Sequence, residues 1–318
     1  MQPVSKNNTQ DLLVIMGPTA SGKTRVAVSL AKELHGEIIS ADSRQVYKRM
    51  DIGTGKDLSE YQTSDGMIPY HLIDILEPGE KYNLHRFQQD FKQSYFSITE
   101  IGRQPILCGG TGLYIESVLK NKQFTSVPIE AGLRERLESL QKEELLEIFH
   151  SWVSDYDSLA DLSSRKRLIR AIEIKRWLAV NPGIISEEST EGEYPYRVYC
   201  INPPVDLRRK RISQRLHQRL EEGMIEEVEN LLNEGIDLDT LIYYGLEYKY
   251  IALYCEGSLT LEAMIQKLET EIHRYAKRQM TYFRHMEKVG IPIRWVDGTL
   301  DSSQILTLIL EDLNLEKI

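Results

Sequence analysis

An α/β protein, with a parallel sheet flanked by helices and an all-helical domain inserted into it, is predicted by three features of this 318-residue chain. The apolar run Leu12-Leu13-Val14-Ile15-Met16 reads as a buried strand and leads, through a glycine-bounded loop, into apolar residues at helical spacing from 25 to 31. Short strand patterns then alternate with helical ones as far as residue 119, and such alternation places the strands in one parallel sheet. From about 125 to 190 the pattern becomes helix after helix, which reads as an insertion between strands.

The loop after the first strand is Gly17-Pro18-Thr19-Ala20-Ser21-Gly22-Lys23-Thr24. A glycine, four residues, then Gly-Lys-Thr is the spacing of a phosphate-binding loop, and its strand–loop–helix setting makes the sheet P-loop NTPase-like. Gly17 and Gly22 let the backbone curl with its N–H groups turned inward. The helix N-terminus adds partial positive charge, Lys23 adds a full one, and Thr24 can hold Mg²⁺. A ligand with a di- or triphosphate follows.

Residues 37–42 read as the second strand, ending in Asp42, and 43–57 as a polar, glycine-containing loop suited to substrate contacts. A short apolar stretch and a turn at Pro78-Gly79 occupy 71–83. Leu84, Phe87, Phe91, Tyr95 and Ile98 recur at three- and four-residue steps, which predicts an amphipathic helix over 84–100. A buried strand over 104–112 breaks into a glycine turn before a helix at 113–119. Ligands of parallel sheets lie at the strands' carboxyl ends, where Asp42 and Thr111 both fall. The stretch 181–196 reads as a polar linker, after which 197–201 resumes the sheet. Helices are predicted over 206–234, 261–288 and 303–314, with a short strand at 292–296. The expected organisation is therefore a core begun at 1–124, a helical insertion at 125–194 able to move as a lid, and a return to the core at 195–318.

Composition narrows the class. Charged residues make up 27% and hydrophobic ones 41%, an ordinary balance for a water-soluble protein. No apolar run approaches membrane-spanning length, and the polar first ten residues are no signal peptide. Cys108, Cys200 and Cys255 lack metal-ligand spacing and read as reduced residues, so a cytoplasmic protein is expected, and a monomer. The net charge of −9 argues against indiscriminate nucleic-acid binding but leaves room for local basic faces. Three such clusters occur: Arg165, Lys166, Arg167 and Arg170; then Arg208, Arg209, Lys210, Arg211, Arg215 and Arg219; then His273, Arg274, Lys277, Arg278 and Arg284 among Tyr275, Tyr282 and Phe283. Cations beside aromatic rings suit single-stranded RNA. A solvated helix face bridged to glutamates would account for any one of them, but three in a chain of net charge −9 favour the RNA reading. Asp42 stays open among a Mg²⁺ or water ligand, a proton acceptor and a turn residue.

Taken together, GPTASGKT (17–24), ISADSRQVYKRMDIGTGK (39–56), HLID (71–74), GGTGLYIESVL (109–119), RLIRAIE (167–173) and YAKRQMTYFR (275–284) resemble the tRNA dimethylallyltransferase (isopentenyltransferase, IPP transferase) family, in its order and spacing. The resemblance implies transfer of a dimethylallyl group from dimethylallyl diphosphate to N6 of the adenosine 3′ of the anticodon. Diphosphate would leave into the loop at 17–24, with Lys23 and Mg²⁺ at Thr24. It further implies Asp42 as general base, Thr111 at the diphosphate or its bridging oxygen, and a flipped target base. Contacts to the tRNA anticodon stem-loop carry over onto Asp42, Ser43, Arg44, Gln45, Arg134, Lys166, Arg167, Leu168, Ile169, Arg170, Lys277, Arg278 and Gln279. The chain departs from the family pattern at Tyr244-Gly245-Leu246-Glu247, which lacks a basic residue, and at Asp161-Leu162-Ser163-Ser164. Other readings are a P-loop small-molecule or nucleotide kinase, an adenylate isopentenyltransferase, and a non-catalytic RNA-binding module.

Overall fold

In a computed structural model the described residues are 11–120, 124–181 and 194–315. Most of the expected linker at 181–196 lies outside them. The chain divides into two compact units, 1–120 with 192–318 and 121–191.

The larger unit is built on strands β1 (Leu12–Met16), β2 (Gly36–Ala41), β3 (Gln62–Thr63), β4 (Gly66–Met67), β5 (Tyr70–His71), β6 (Gln104–Gly109), β7 (Tyr196–Asn202) and β8 (Ile293–Asp297). Six of them form one parallel sheet in the order β5-β2-β6-β1-β7-β8, while β3 and β4 pair as a separate hairpin. Its helices are α1 (Lys23–Glu33), α2 (Leu84–Glu100) and α3 (Gly112–Leu119). The smaller unit supplies α4 (Ala131–Glu138), α5 (Lys142–His150) and α6 (Arg165–Val180). Back in the larger unit follow α7 (Val205–Glu221), α8 (Met224–Asn233), α9 (Leu238–Tyr244), α10 (Leu246–Cys255), α11 (Leu261–Lys288) and α12 (Ser302–Leu315).

Both faces of the sheet are covered, and its central strand β1 is apolar throughout, as a strand buried on both sides must be. Along β1 the side chains alternate: Leu12, Val14 and Met16 join one core with α2, α3 and α7 to α11, while Leu13 and Ile15 join another with α1 and α12. The loops after β1 and β6 are adjacent in the sheet, yet their helices α1 and α3 lie on opposite faces. A parallel sheet opens its ligand crevice at such a switch.

The single helix expected over 206–234 is instead two. Gly223, at φ 98°, ends the run, and α8 starts from it in a new direction. This break places Glu227 of α8 beneath the loop after β2. Its carboxylate accepts from the N–H groups of Asp51 (2.7 Å), Ile52 (2.8 Å) and Gly53 (3.0 Å), and from the Tyr248 hydroxyl (2.7 Å). Glu227→Ala removes the acceptor for all four. It is expected to lower unfolding stability by about 2 kcal/mol and to open the loop around 51–57 to proteases, as thermal unfolding and limited proteolysis would show.

In the smaller unit, α4 to α6 bury Leu133, Leu145, Phe149, Leu168 and Ile172 among themselves. Ser164 caps α6 by accepting from the Arg167 N–H, so the Asp161–Ser164 departure keeps an intact helix start. Buried Lys175 donates to the carbonyls of Phe149 (2.6 Å) and Trp152 and pairs with Asp157 at 2.7 Å. The other departure is also accommodated: Gly245 separates α9 from α10, and Tyr244 packs against Tyr47 with ring centroids 4.5 Å apart.

Candidate active site

The site is built at the carboxyl ends of β1, β2 and β6. After β1 the chain turns through Gly17 to Gly22 and enters α1 at Lys23. The first-turn N–H groups of that helix have no carbonyl partner within it and form a ready anion site. Lys23 is half-buried, and its ammonium makes no hydrogen bond or ion pair among the described residues. Burial holds it below its ordinary pKa of 10.5; Arg215 adds to the effect, while Asp42 and Asp57 oppose it. A desolvated cation without a bonded acid partner is one that an incoming anion would satisfy.

Asp42 stands just past the end of β2. Its Oδ1 accepts from the N–H groups of Arg44 (2.8 Å) and Gln45 (3.4 Å), whereas Oδ2 has no hydrogen-bond partner among the described residues. One oxygen thus shapes the turn and the other is available for chemistry. Thr111 sits opposite: its N–H donates to the Ala41 carbonyl (3.2 Å), and its hydroxyl oxygen accepts from the Ser43 N–H (3.4 Å). Gln45 ties this turn to the loop beyond it, accepting from the Ser40 hydroxyl (3.0 Å) and donating to the Gly55 carbonyl (3.0 Å).

Beside the loop tip is a recess whose walls include Thr19, Ala20, Leu216, Met224 and Ile272, with Arg215, Arg219 and Glu247 among its polar groups. Asp57 pairs with Arg215 and, at 3.5 Å, with Arg219. Gly55 makes room for these guanidinium groups, since a Cβ there would stand 1.6 Å from Arg219 Nη2. Burial pushes Glu247 above the usual carboxylate range, against the pull of Arg219 and Arg215. The sequence groups Arg215 and Arg219 with a basic cluster open to an RNA face or a solvated helix face. They belong instead to the half-buried face of α7, in step with buried Arg208, Ile212 and Leu216. That three- and four-residue spacing with apolar residues was the signal available in the sequence.

Several of the expected RNA contacts are engaged within the protein. Leu168 and Ile169 are core residues of the smaller unit, so their side chains are closed to RNA. Arg134 forks onto buried Glu173 (2.8 and 2.6 Å), and Arg170 reaches the same carboxylate (3.2 Å) and the Val127 carbonyl (2.6 Å). Both are bound up within their own unit. Lys166 and Arg167 stay exposed, although Arg167 pairs with Asp161 at 2.6 Å. On α11, Lys277 and Arg278 are exposed and Gln279 is buried. Of the aromatics in that cluster Tyr275 is exposed, whereas Phe283 is core and the Tyr282 hydroxyl donates to Glu116. Arg44 lies over the Tyr243 ring at 4.6 Å.

An α/β sheet with a phosphate loop, an acid at the next strand end and a Gly-Gly-Thr turn beside them is the framework of an enzyme that handles a phosphorylated substrate. Within that class, the chain belongs to the IPP transferase family. The family model of that description matches residues 45–286, and one described as isopentenyl transferase matches residues 10–65. Its relatives include tRNA dimethylallyltransferase 2 of Bacteroides fragilis, 50% identical over 95% of this chain and 98% of the relative. Another is tRNA dimethylallyltransferase 1 of Porphyromonas gingivalis, 51% identical over 92% and 96%. Among solved structures, the full-length tRNA isopentenylpyrophosphate transferase of Bacillus halodurans matches with a TM-score of 0.69 at 33% identity, over 97% of this chain and 98% of that one. A eukaryotic dimethylallyltransferase captured acting on tRNA shares the fold at 21% identity, with a TM-score of 0.71 over 97% and 80%.

Proposed function

We propose that this protein transfers the dimethylallyl group of dimethylallyl diphosphate to N6 of the adenosine 3′ of the anticodon in tRNA, releasing diphosphate. The free Oδ2 of Asp42, at a strand end beside the phosphate loop and Thr111, is the observation that carries this reading. The adenine N6 forms a bond to C1 of the prenyl chain as the C1–O bond breaks, and the electron pair of that bond leaves on the diphosphate. The N–H groups of Gly22, Lys23 and Thr24, the Lys23 ammonium and Arg215 would hold the growing negative charge. Thr111 would donate to the diphosphate or its bridging oxygen. The N6 amine is a weak nucleophile and must lose a proton, which passes to Asp42 Oδ2.

The residues present fit Mg²⁺. The Thr24 hydroxyl has no hydrogen bond among the described residues. Those residues also hold no cluster of three acidic, histidine or cysteine side chains that could cage an ion, so the substrate's phosphate oxygens would complete its shell. When bound, Mg²⁺ would neutralise charge on the leaving diphosphate. The flipped base would approach past Ser43, Arg44 and Gln45, with Lys166, Arg167, Lys277 and Arg278 tracking tRNA phosphates. We place this work in the cytoplasm, done by a monomer. No helix of the described residues is long and apolar enough to cross a membrane.

The test is incubation with radiolabelled dimethylallyl diphosphate and unmodified tRNA, followed by nucleoside analysis. N6-prenylated adenosine in the tRNA is the expected product. Prenylation of free adenine nucleotide alone would make the enzyme an adenylate isopentenyltransferase, and phosphorylation from ATP without prenyl transfer would make it a kinase.

A further inference from the structure

The side chain of Gln279 is spent between two loops of the site. Its Oε1 accepts from the Thr19 N–H at 2.9 Å, and its Nε2 donates to the Gly110 carbonyl at 3.0 Å. Thr19 stands at the tip of the phosphate loop, and Gly110 immediately precedes Thr111. The partners lie 260 and 169 residues away in sequence, so α11 clasps together the two turns that leave the adjacent strands β1 and β6. Gly110 admits the amide, because a Cβ there would stand 2.5 Å from Nε2 and 3.3 Å from the Gly17 carbonyl oxygen. An amide suits the position because it is the neutral side chain that offers an acceptor and a donor from one planar group. Lys277 and Arg278, two residues and one residue earlier, face outward on the same helix.

We infer that Gln279 is not an RNA contact but a positioning residue for the transfer reaction, which sets the phosphate loop and the Gly110-Thr111 turn at the separation a diphosphate needs. The inference rests on the proposed reaction in that the diphosphate must lie between Thr19 and Thr111. A buried group holding two anion-binding turns fixes the substrate as closely as the groups that touch it, because small displacements of bound atoms are costly to rate.

The experiment uses the full chain and inorganic diphosphate, whose binding requires no prenyl transfer. In Gln279→Leu, which loses both bonds, calorimetric affinity for diphosphate should fall about tenfold. KM for dimethylallyl diphosphate should rise alongside it, while tRNA affinity stays within about twofold of wild type. A loss of tRNA affinity with diphosphate binding intact would overturn the inference, as would no change in either. Gln279→Glu covers the case in which the leucine variant does not fold. Its ionised carboxylate can still accept from Thr19 but has no proton for the Gly110 carbonyl, whereas the neutral acid restores both bonds. Its deficit in diphosphate affinity relative to wild type should therefore narrow between about pH 8 and about pH 5. A deficit unchanged across that range would overturn the inference. If wild type binds diphosphate yet prenylates no tRNA, the functional reading fails, while the brace is still judged by the affinities.

Discussion

Asp42→Asn is expected to lower kcat by about 10³-fold while leaving the fold and tRNA affinity nearly unchanged. The reason lies in the division of labour between the two carboxylate oxygens. Oδ1 is held by the N–H groups of Arg44 and Gln45, and an asparagine oxygen can accept the same two bonds. Oδ2 has no hydrogen-bond partner among the described residues, and an NH₂ in its place cannot take a proton from N6. Asp42→Ala removes both properties. It should match the asparagine variant in kcat but also lose about 1 kcal/mol of stability as the turn is released. Single-turnover transfer, tRNA binding and thermal unfolding of the two variants separate these effects. An asparagine variant with near-normal turnover would make Asp42 a turn residue only.

That result would join two sequence readings that stood as rivals, the Asx turn and the proton acceptor. Much of the site was legible in this way. The spacing of residues 17–24 and the strand pattern before them dictated the phosphate loop, and Asp42 and Thr111 fell at strand ends by position alone. What the sequence could not say was which face of a helix a charge occupies. A run such as Arg208 to Arg219 looks uniformly basic, yet packing against Ile272 and Met224 turns Arg215 and Arg219 toward the recess and leaves Arg209 and Lys210 outside. The bonds of Arg134 to Glu173, of Arg170 to the Val127 carbonyl and of Gln279 to Thr19 and Gly110 are likewise tertiary contacts that no local pattern announces. The helices α9 and α10 went unread because tyrosines occupy exposed and half-buried as well as buried positions, Tyr243 beside Tyr244 and Tyr250 near Tyr248, and so blur the apolar period.

Lys23→Met should weaken diphosphate binding and lower the transfer rate by about 10² to 10³-fold, with little change in tRNA affinity. Methionine keeps the length and apolar stem of the side chain, so the loop can close around it while the charge is lost. The pH dependence identifies the ammonium as the group responsible. Burial holds Lys23 below its ordinary pKa in the free protein, because desolvation disfavours the charged form. A bound diphosphate favours that form and raises the pKa. Binding is therefore full while Lys23 is protonated in the free protein, and it weakens as pH rises through the lowered pKa, because above it each binding event must take up a proton. The wild-type curve should steepen over that alkaline interval by up to one log unit of affinity per pH unit relative to Lys23→Met. Calorimetry in two buffers of different ionisation enthalpy would register the proton uptake directly. Parallel curves for the two proteins would show that another cation, with Arg215 the nearest candidate in the recess, carries the charge the leaving group requires.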